Sequence, residues 1–140
     1  MLKLNNRGIT LLEAMITILV IMIGILSLVK IFPIAFKINK ASEQSTIATN
    51  LAQAELENLY YLNYDNIAVG TLEAKHRLAL DVNDPLYNFQ REVLIDYVDS
   101  NLTVSAAETN LKKMTVNIYW YSPALKLEKT TQLSSLISKK

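Results

Sequence analysis

Cysteine is absent from this 140-residue chain. That excludes structural disulfides, thiolate metal sites and cysteine nucleophiles. Histidine is scarce as well. The single one, His76, stands between Lys75 and Arg77, a polar setting that reads as a solvated loop rather than a ligand or a catalytic base. Formal net charge is only +1, so no broad electrostatic pull toward nucleic acid is expected, and no basic–aromatic stripe suggests such a partner. The chain has three glycines, and no phosphate-cradling glycine loop or G-x-S-x-G elbow can be found. Carboxylates are scattered. Asp81, Asn83 and Asp84 hint at a calcium loop, but the glycine and distal glutamate of that pattern do not follow. The chain therefore reads as neither an enzyme nor a cofactor or metal binder.

What the chain does have is apolar residues, 51% of the total, gathered near the N-terminus. Met1 to Gly8 reads MLKLNNRG, with Lys3 and Arg7 its only charges. Ile9 to Val29 follows as ITLLEAMITILVIMIGILSLV, with one charge in the run. As a helix this run rises roughly 32 Å, about the hydrocarbon thickness of a bilayer. The basic residues ahead of it place the N-terminus in the cytoplasm and the rest of the chain outside. An ordinary secretory signal fits poorly, because its apolar core is shorter and ends at a small-residue cleavage site. Here Lys30 and Phe32-Pro33 follow instead. A plain signal anchor explains length and charge.

The charge inside the run, Glu13, argues for something more. A carboxylate at the centre of a spanning helix costs about 2.5–3.5 kcal/mol on insertion scales, and less toward the end. Such a residue calls for a function and a cationic partner. If the chain is cut between Gly8 and Ile9, the new amine lies one helical turn from Glu13. The carboxylate could meet that amine, or the amine of a neighbouring copy, and it also suits a helix N-terminus.

Arg7 to Glu13, R-G-I-T-L-L-E, resembles the leader of type IV prepilins and of type II secretion pseudopilins. The resemblance implies cleavage after Gly8 by a prepilin peptidase and N-methylation of Ile9. It also implies that Glu13 neutralises the amine of the preceding subunit during assembly. One departure is Ile9, where phenylalanine is commonest. The expected partners are other pilin or pseudopilin subunits through the N-terminal helix, the prepilin peptidase, an inner-membrane assembly platform and membrane lipid.

Past the span, Pro33 predicts a kink or local unwinding, and Gly24 is a second weak point. Ile34 to Tyr61 continues helically, with Ile34, Ile38, Ala41, Ala48, Leu51, Ala52 and Leu59 mostly three or four apart. The helix is expected to end near Tyr61 to Asn63, with an Asx-type turn at Asp65-Asn66. Leu51, Ala52, Gln53, Glu57, Leu59, Tyr64, Asp65, Asn66 and Ile67 are similar to a segment of PilV-type minor pilins and of I-type minor pseudopilins.

No period is clear between Ala68 and Pro85. Tyr87 to Val98 then alternates as a half-buried strand, with Arg91 interrupting its apolar face. Thr103 to Ala106 reads as a short extension. Lys112 to Tyr121 alternates again, with Met114, Val116, Ile118 and Trp120 on one face and Thr115, Asn117, Tyr119 and Tyr121 toward solvent. Leu125 to Leu133 is a third strand candidate. Trp120 reads as a core residue before an adhesive one. Lys112, Lys113, Thr115, Val116, Ile118 and Trp120, then Thr131, Leu133, Leu136 and Ile137, also look like the closing strands of these minor pilins.

The expected fold is α+β: a long N-terminal helix, half membrane-spanning and half amphipathic, packed on a small antiparallel sheet. The expected layout is a leader over residues 1–8, an assembly helix over 9–32, its amphipathic continuation over 33–63 and a sheet domain over 64–140. The expected function is a PilV-like minor pilin. The competing readings are a minor pseudopilin of type II secretion or of competence, a major pilin, and a plain signal-anchored binding domain.

Overall fold

A computed structural model describes residues 10–139 apart from Ala124. One helix, α1 (Leu11–Tyr60), is followed by five strands: β1 (Gly70–Arg77), β2 (Phe89–Val98), β3 (Val104–Ser105), β4 (Leu111–Ser122) and β5 (Leu127–Ser138). The chain divides into two compact units between Asn39 and Lys40.

Among the described residues the first unit is helix from Leu11 on. Its side chains show no polar face. Residues as far apart around the axis as Ile18, Val20, Ile23 and Leu26 are all more than half exposed. Apolar surface all round a helix suits a nonpolar surrounding rather than a solvated one. The hydroxyls inside the run turn inward to the backbone: Thr17 Oγ1 donates to Glu13 O at 2.7 Å and Ser27 Oγ to Ile23 O at 2.8 Å. That is how such residues are accommodated where no water is at hand. The helix is long and apolar enough to cross a membrane. Helical structure continues through Pro33, so the helix does not unwind at the residue whose ring removes one backbone donor. A side chain at Gly24 would meet nothing within 4 Å, so packing inside the chain does not require a glycine there.

In the second unit, α1 buries Gln44, Ala48, Ala52, Leu56 and Leu59, a stripe at spacings of four and three. Leu56 belongs to this stripe and is absent from the face read from the sequence. The stripe meets a sheet ordered β1-β2-β4-β5, with the two-residue β3 paired to the end of β2. All pairings are antiparallel. The register sets Phe89 opposite Trp120, Val93 opposite Val116 and Ile95 opposite Met114, which aligns one apolar face. Ala48, Ala52, Leu59, Ile67, Val93, Ile95, Met114, Val116, Ile118 and Trp120 form the core with their neighbours. Alanine at positions 48 and 52 lets the helix backbone come close to the sheet. Trp120 is buried, its ring 6.2 Å from that of Phe89. The core reading of this tryptophan stands.

The structure revises four local readings. Strand β1 occupies a stretch that shows no period in the sequence. It is exposed along almost its whole length, and its pairing with β2 slips between Thr71 and Glu73 and again between Glu73 and His76; two irregularities in eight residues erase the alternation. His76 therefore lies on an exposed edge strand, not in a loop. A short 3₁₀ turn over Pro85–Asn88 takes up Tyr87, so β2 starts at Phe89. The third predicted strand starts at Leu127 rather than Leu125 and runs on to Ser138.

Candidate functional site

The segment with a functional signature is the start of α1. Gly8 and Ile9 lie outside the described residues. Thr10 stands just before the helix. Its Oγ1 accepts the Glu13 N–H at 3.3 Å, and its carbonyl accepts the Ala14 N–H at 3.0 Å. Thr10 is thus the N-cap, satisfying an N–H group that would otherwise have no partner. Thr10-Leu11-Leu12-Glu13 has the spacing of a capping box. That pattern was visible in the sequence, and it gives Thr10 a role that reading the motif for Glu13 alone misses. Glu13 sits in the first helical turn and is exposed. Among the described residues its carboxylate forms no ion pair. Its negative charge is favoured by the positive end of the helix, and in a nonpolar medium it still needs a cation from elsewhere.

The sheet domain holds two cations on the face that packs against α1. Arg91 bridges three elements. Its Nη1 lies 2.6 Å from Glu55 Oε2 on α1, and its Nη2 lies 2.9 Å from Glu73 Oε1 on β1. His76 Nε2 meets the same Glu73 oxygen at 2.9 Å. The residue that interrupts the apolar face of β2 in the sequence thus ties the helix to the β1 edge. Lys112 is the second cation, and it is buried. Its Nζ donates to Tyr64 O at 2.9 Å and Ile67 O at 2.8 Å and lies 4.0 Å from the centre of the Tyr64 ring. No carboxylate among the described residues pairs with it; carbonyl dipoles and an aromatic face carry the charge instead. Lys112 therefore clamps the connection between α1 and β1. That connection folds as a 3₁₀ turn over Tyr64–Asn66, closed by backbone bonds from Asn66 N to Asn63 O and from Ile67 N to Tyr64 O. It takes the place of the expected Asx turn. Tyr64 also donates its hydroxyl to Thr109 O, and burial foremost pushes its pKa up.

The opposite face of the sheet is polar but not all of it is solvated. Glu92 accepts from Tyr119 Oη at 2.7 Å and from Asn117 Nδ2 at 3.0 Å. These bonds, the tyrosine's first, hold the Glu92 carboxyl below the ordinary glutamate value. The same bond raises Tyr119 to about 12. Lys75 covers the Tyr119 ring at 3.9 Å and reaches Glu128 at 2.9 Å. Under this layer Thr115 and Asn117 are buried, where alternation alone places them in solvent. β4 is a central strand, so its neighbours cover both of its faces. Asp81 and Asp84 serve as turn formers, accepting the backbone N–H of Asn83 at 2.9 Å and of Leu86 at 2.7 Å. Each of these groups has a bonding partner within the domain that holds strands or turns in place.

The prokaryotic N-terminal methylation motif matches residues 3–29. No curated protein and no solved structure matches the chain. The matched stretch holds Gly8, Ile9, Thr10 and Glu13 together with the apolar run. The chain thus carries a type IV prepilin-like N-terminus, and its α+β arrangement of one long helix on a small antiparallel sheet is consistent with the type IV pilin fold. Such an N-terminus suits a membrane-anchored structural subunit, and implies in general a prepilin peptidase and other pilin subunits as partners.

Proposed function

We propose that this protein is a minor type IV pilin of the PilV type. In this reading the leader over residues 1–8 is removed between Gly8 and Ile9, and Ile9 is N-methylated. The mature chain waits in the cytoplasmic membrane as a single-pass protein, its N-terminal end toward the cytoplasm and the sheet domain outside. It then initiates or joins a filament through an inner-membrane assembly platform. The observation that carries the reading is the motif over residues 3–29, continuous with a helix that is apolar on every side.

The physics of assembly follows from that helix. Moving it from lipid into an equally apolar filament core changes hydrophobic energy little. Direction and register must then come from packing and from charge. Glu13, one turn from the processed amine, supplies the charge, and the amine of the preceding subunit is its natural partner. A bend at Pro33, where the ring removes one backbone donor, would let the assembly helix adjust to its neighbours while the sheet domain keeps its own packing. The PilV assignment rests on the Leu51–Ile67 and Lys112–Ile137 resemblances. A minor pseudopilin of type II secretion or of competence shares the leader, and the genes flanking this one separate the two.

The test is the intact mass and N-terminal residue of the protein purified from its native membrane. An N-methylated Ile9 start is expected. A Met1 start in cells with an active prepilin peptidase would leave a plain signal anchor and overturn the proposal.

A further inference from the structure

Of the twelve asparagines, only Asn101 is followed two positions on by a hydroxyl residue, Thr103. Asn-Leu-Thr is the acceptor pattern for attachment of a glycan to an asparagine amide. The pattern is short and arises by chance, so its place in the fold decides whether it is usable. Asn101, Leu102 and Thr103 are all exposed, in the tight connection between β2 and β3. Asp99 organises that turn. Its Oδ1 accepts the backbone N–H of Asn101 and of Thr103, both at 2.9 Å, and its own N–H and carbonyl pair with Thr103 O and Leu102 N. The bonds of the turn run through the backbone N–H of Asn101 and leave its side-chain amide outside them. Leu102 sits at φ 63°, a left-handed conformation that a branched side chain resists. The turn is thus held by a few solvent-exposed bonds around a strained residue, and it opens more easily than the strands beside it.

We propose that Asn101 is an N-glycosylation site. The donor class is a sugar carried on a lipid-linked pyrophosphate. Asn101 Nδ2 forms a bond to the anomeric carbon, the bond from that carbon to the pyrophosphate oxygen breaks, and the lipid pyrophosphate leaves. The amide gives up one proton to a base of the transferase, and no redox change occurs. The Thr103 hydroxyl is the recognition element of the acceptor. Asp99, two residues ahead, offers a carboxylate that a cationic transferase pocket can read beside the neutral amide. The turn lies at the end of the sheet where α1 finishes, beside the Tyr64–Thr109 contact. A glycan there would project from the loop and leave both sheet faces uncovered. The inference rests on the sheet domain lying outside the membrane, as proposed above.

The experiment is peptide and intact mass spectrometry of the full chain from its native membrane, as wild type and as Asn101→Gln, Thr103→Ala and Thr103→Ser. The expected result is a sugar mass on the peptide containing Asn101, lost in Asn101→Gln and Thr103→Ala and retained in Thr103→Ser. A sugar lost in Thr103→Ala but kept in Asn101→Gln would place it on the hydroxyl and overturn the proposal. An unmodified wild-type peptide also overturns it. The N-terminal peptide from the same digest tells the two readings apart: methylated Ile9 with a bare Asn101 rejects the glycan alone, whereas a Met1 start in cells with an active prepilin peptidase rejects the pilin reading, and the Asn101 peptide then decides the glycan by itself.

Discussion

At the scale of single residues, two carboxylates define the behaviour of the chain. Glu13 makes no contact that the fold depends on. Its hydrogen bonds to Thr10 and Thr17 run through its backbone N–H and carbonyl, and removing the side-chain charge leaves both intact. Glu13→Gln is therefore expected to leave cleavage, membrane level and the sheet domain unchanged and to abolish recovery of the protein in sheared filaments. Immunoblots of membrane and filament fractions check this, and normal incorporation of the variant would remove Glu13 from assembly. Glu92 is the opposite case, a carboxylate that the fold uses. Hydrogen bonds from Tyr119 and Asn117 lower its pKa in the folded state. A depressed folded pKa gives stability that is full above the unfolded value and is lost as pH falls through the folded one. The urea midpoint of the sheet domain is thus expected to drop as the pH falls through and below the ordinary glutamate range. Tyr119→Phe removes the first cause of the shift, so its midpoint should start lower, by about 1 kcal/mol of stability, and depend less on acid. Equal acid sensitivity in the two proteins would show that this hydrogen bond does not set the Glu92 carboxyl.

At the scale of elements, Ala48 and Ala52 decide how near α1 sits to the sheet. Both are fully buried, one turn apart, and face β-strands rich in branched residues. Ala52→Leu adds three carbons where none fit, and overpacking of this kind costs about 1–3 kcal/mol. Trp120 fluorescence during urea unfolding measures it. A variant as stable as the parent would mean the interface has slack. The elements differ in how plainly the sequence announces them. α1, β2, β4 and β5 are legible because each turns its apolar side chains to one face, and that writes a period of four-and-three or of two into the chain. Thr10 and Glu13 are legible for the same kind of reason, a fixed spacing dictated by a helix end. β1 is not legible. An exposed edge strand with two register shifts needs no alternating pattern, since backbone hydrogen bonds and long-range charged contacts, not a buried apolar face, hold it. Lys112 and Arg91 are the other illegible features. In sequence they look like charges interrupting an apolar face. Their partners, Tyr64 and Ile67 carbonyls for one and Glu55 and Glu73 for the other, lie 18 to 48 residues away, beyond any local pattern.

At the scale of the whole molecule, the two units need different solvents. The helix before Lys40 exposes apolar side chains on all sides, and its only charges after Glu13 are Lys30 and Lys37. The second unit closes its own core, and every buried residue of that core lies at or beyond Gln44. Among the described residues, none of its buried side chains comes from the helix before Lys40. The core should therefore survive the loss of everything ahead of it. A fragment starting at Lys40 is expected to be soluble without detergent and to unfold in one cooperative step. Its urea dependence should be about 1–1.5 kcal/mol/M, as for a domain of about 100 residues. The Trp120 emission should shift from a buried to a solvated maximum in that same step, coincident with the loss of circular dichroism. If the fragment aggregates or melts without a transition, the helix before Lys40 contributes to the core, and filament entry would have to deform the sheet domain. A cooperative fragment means instead that the domain stays folded whatever surrounds the helix before Lys40, which is the property the proposed transfer from lipid to filament requires.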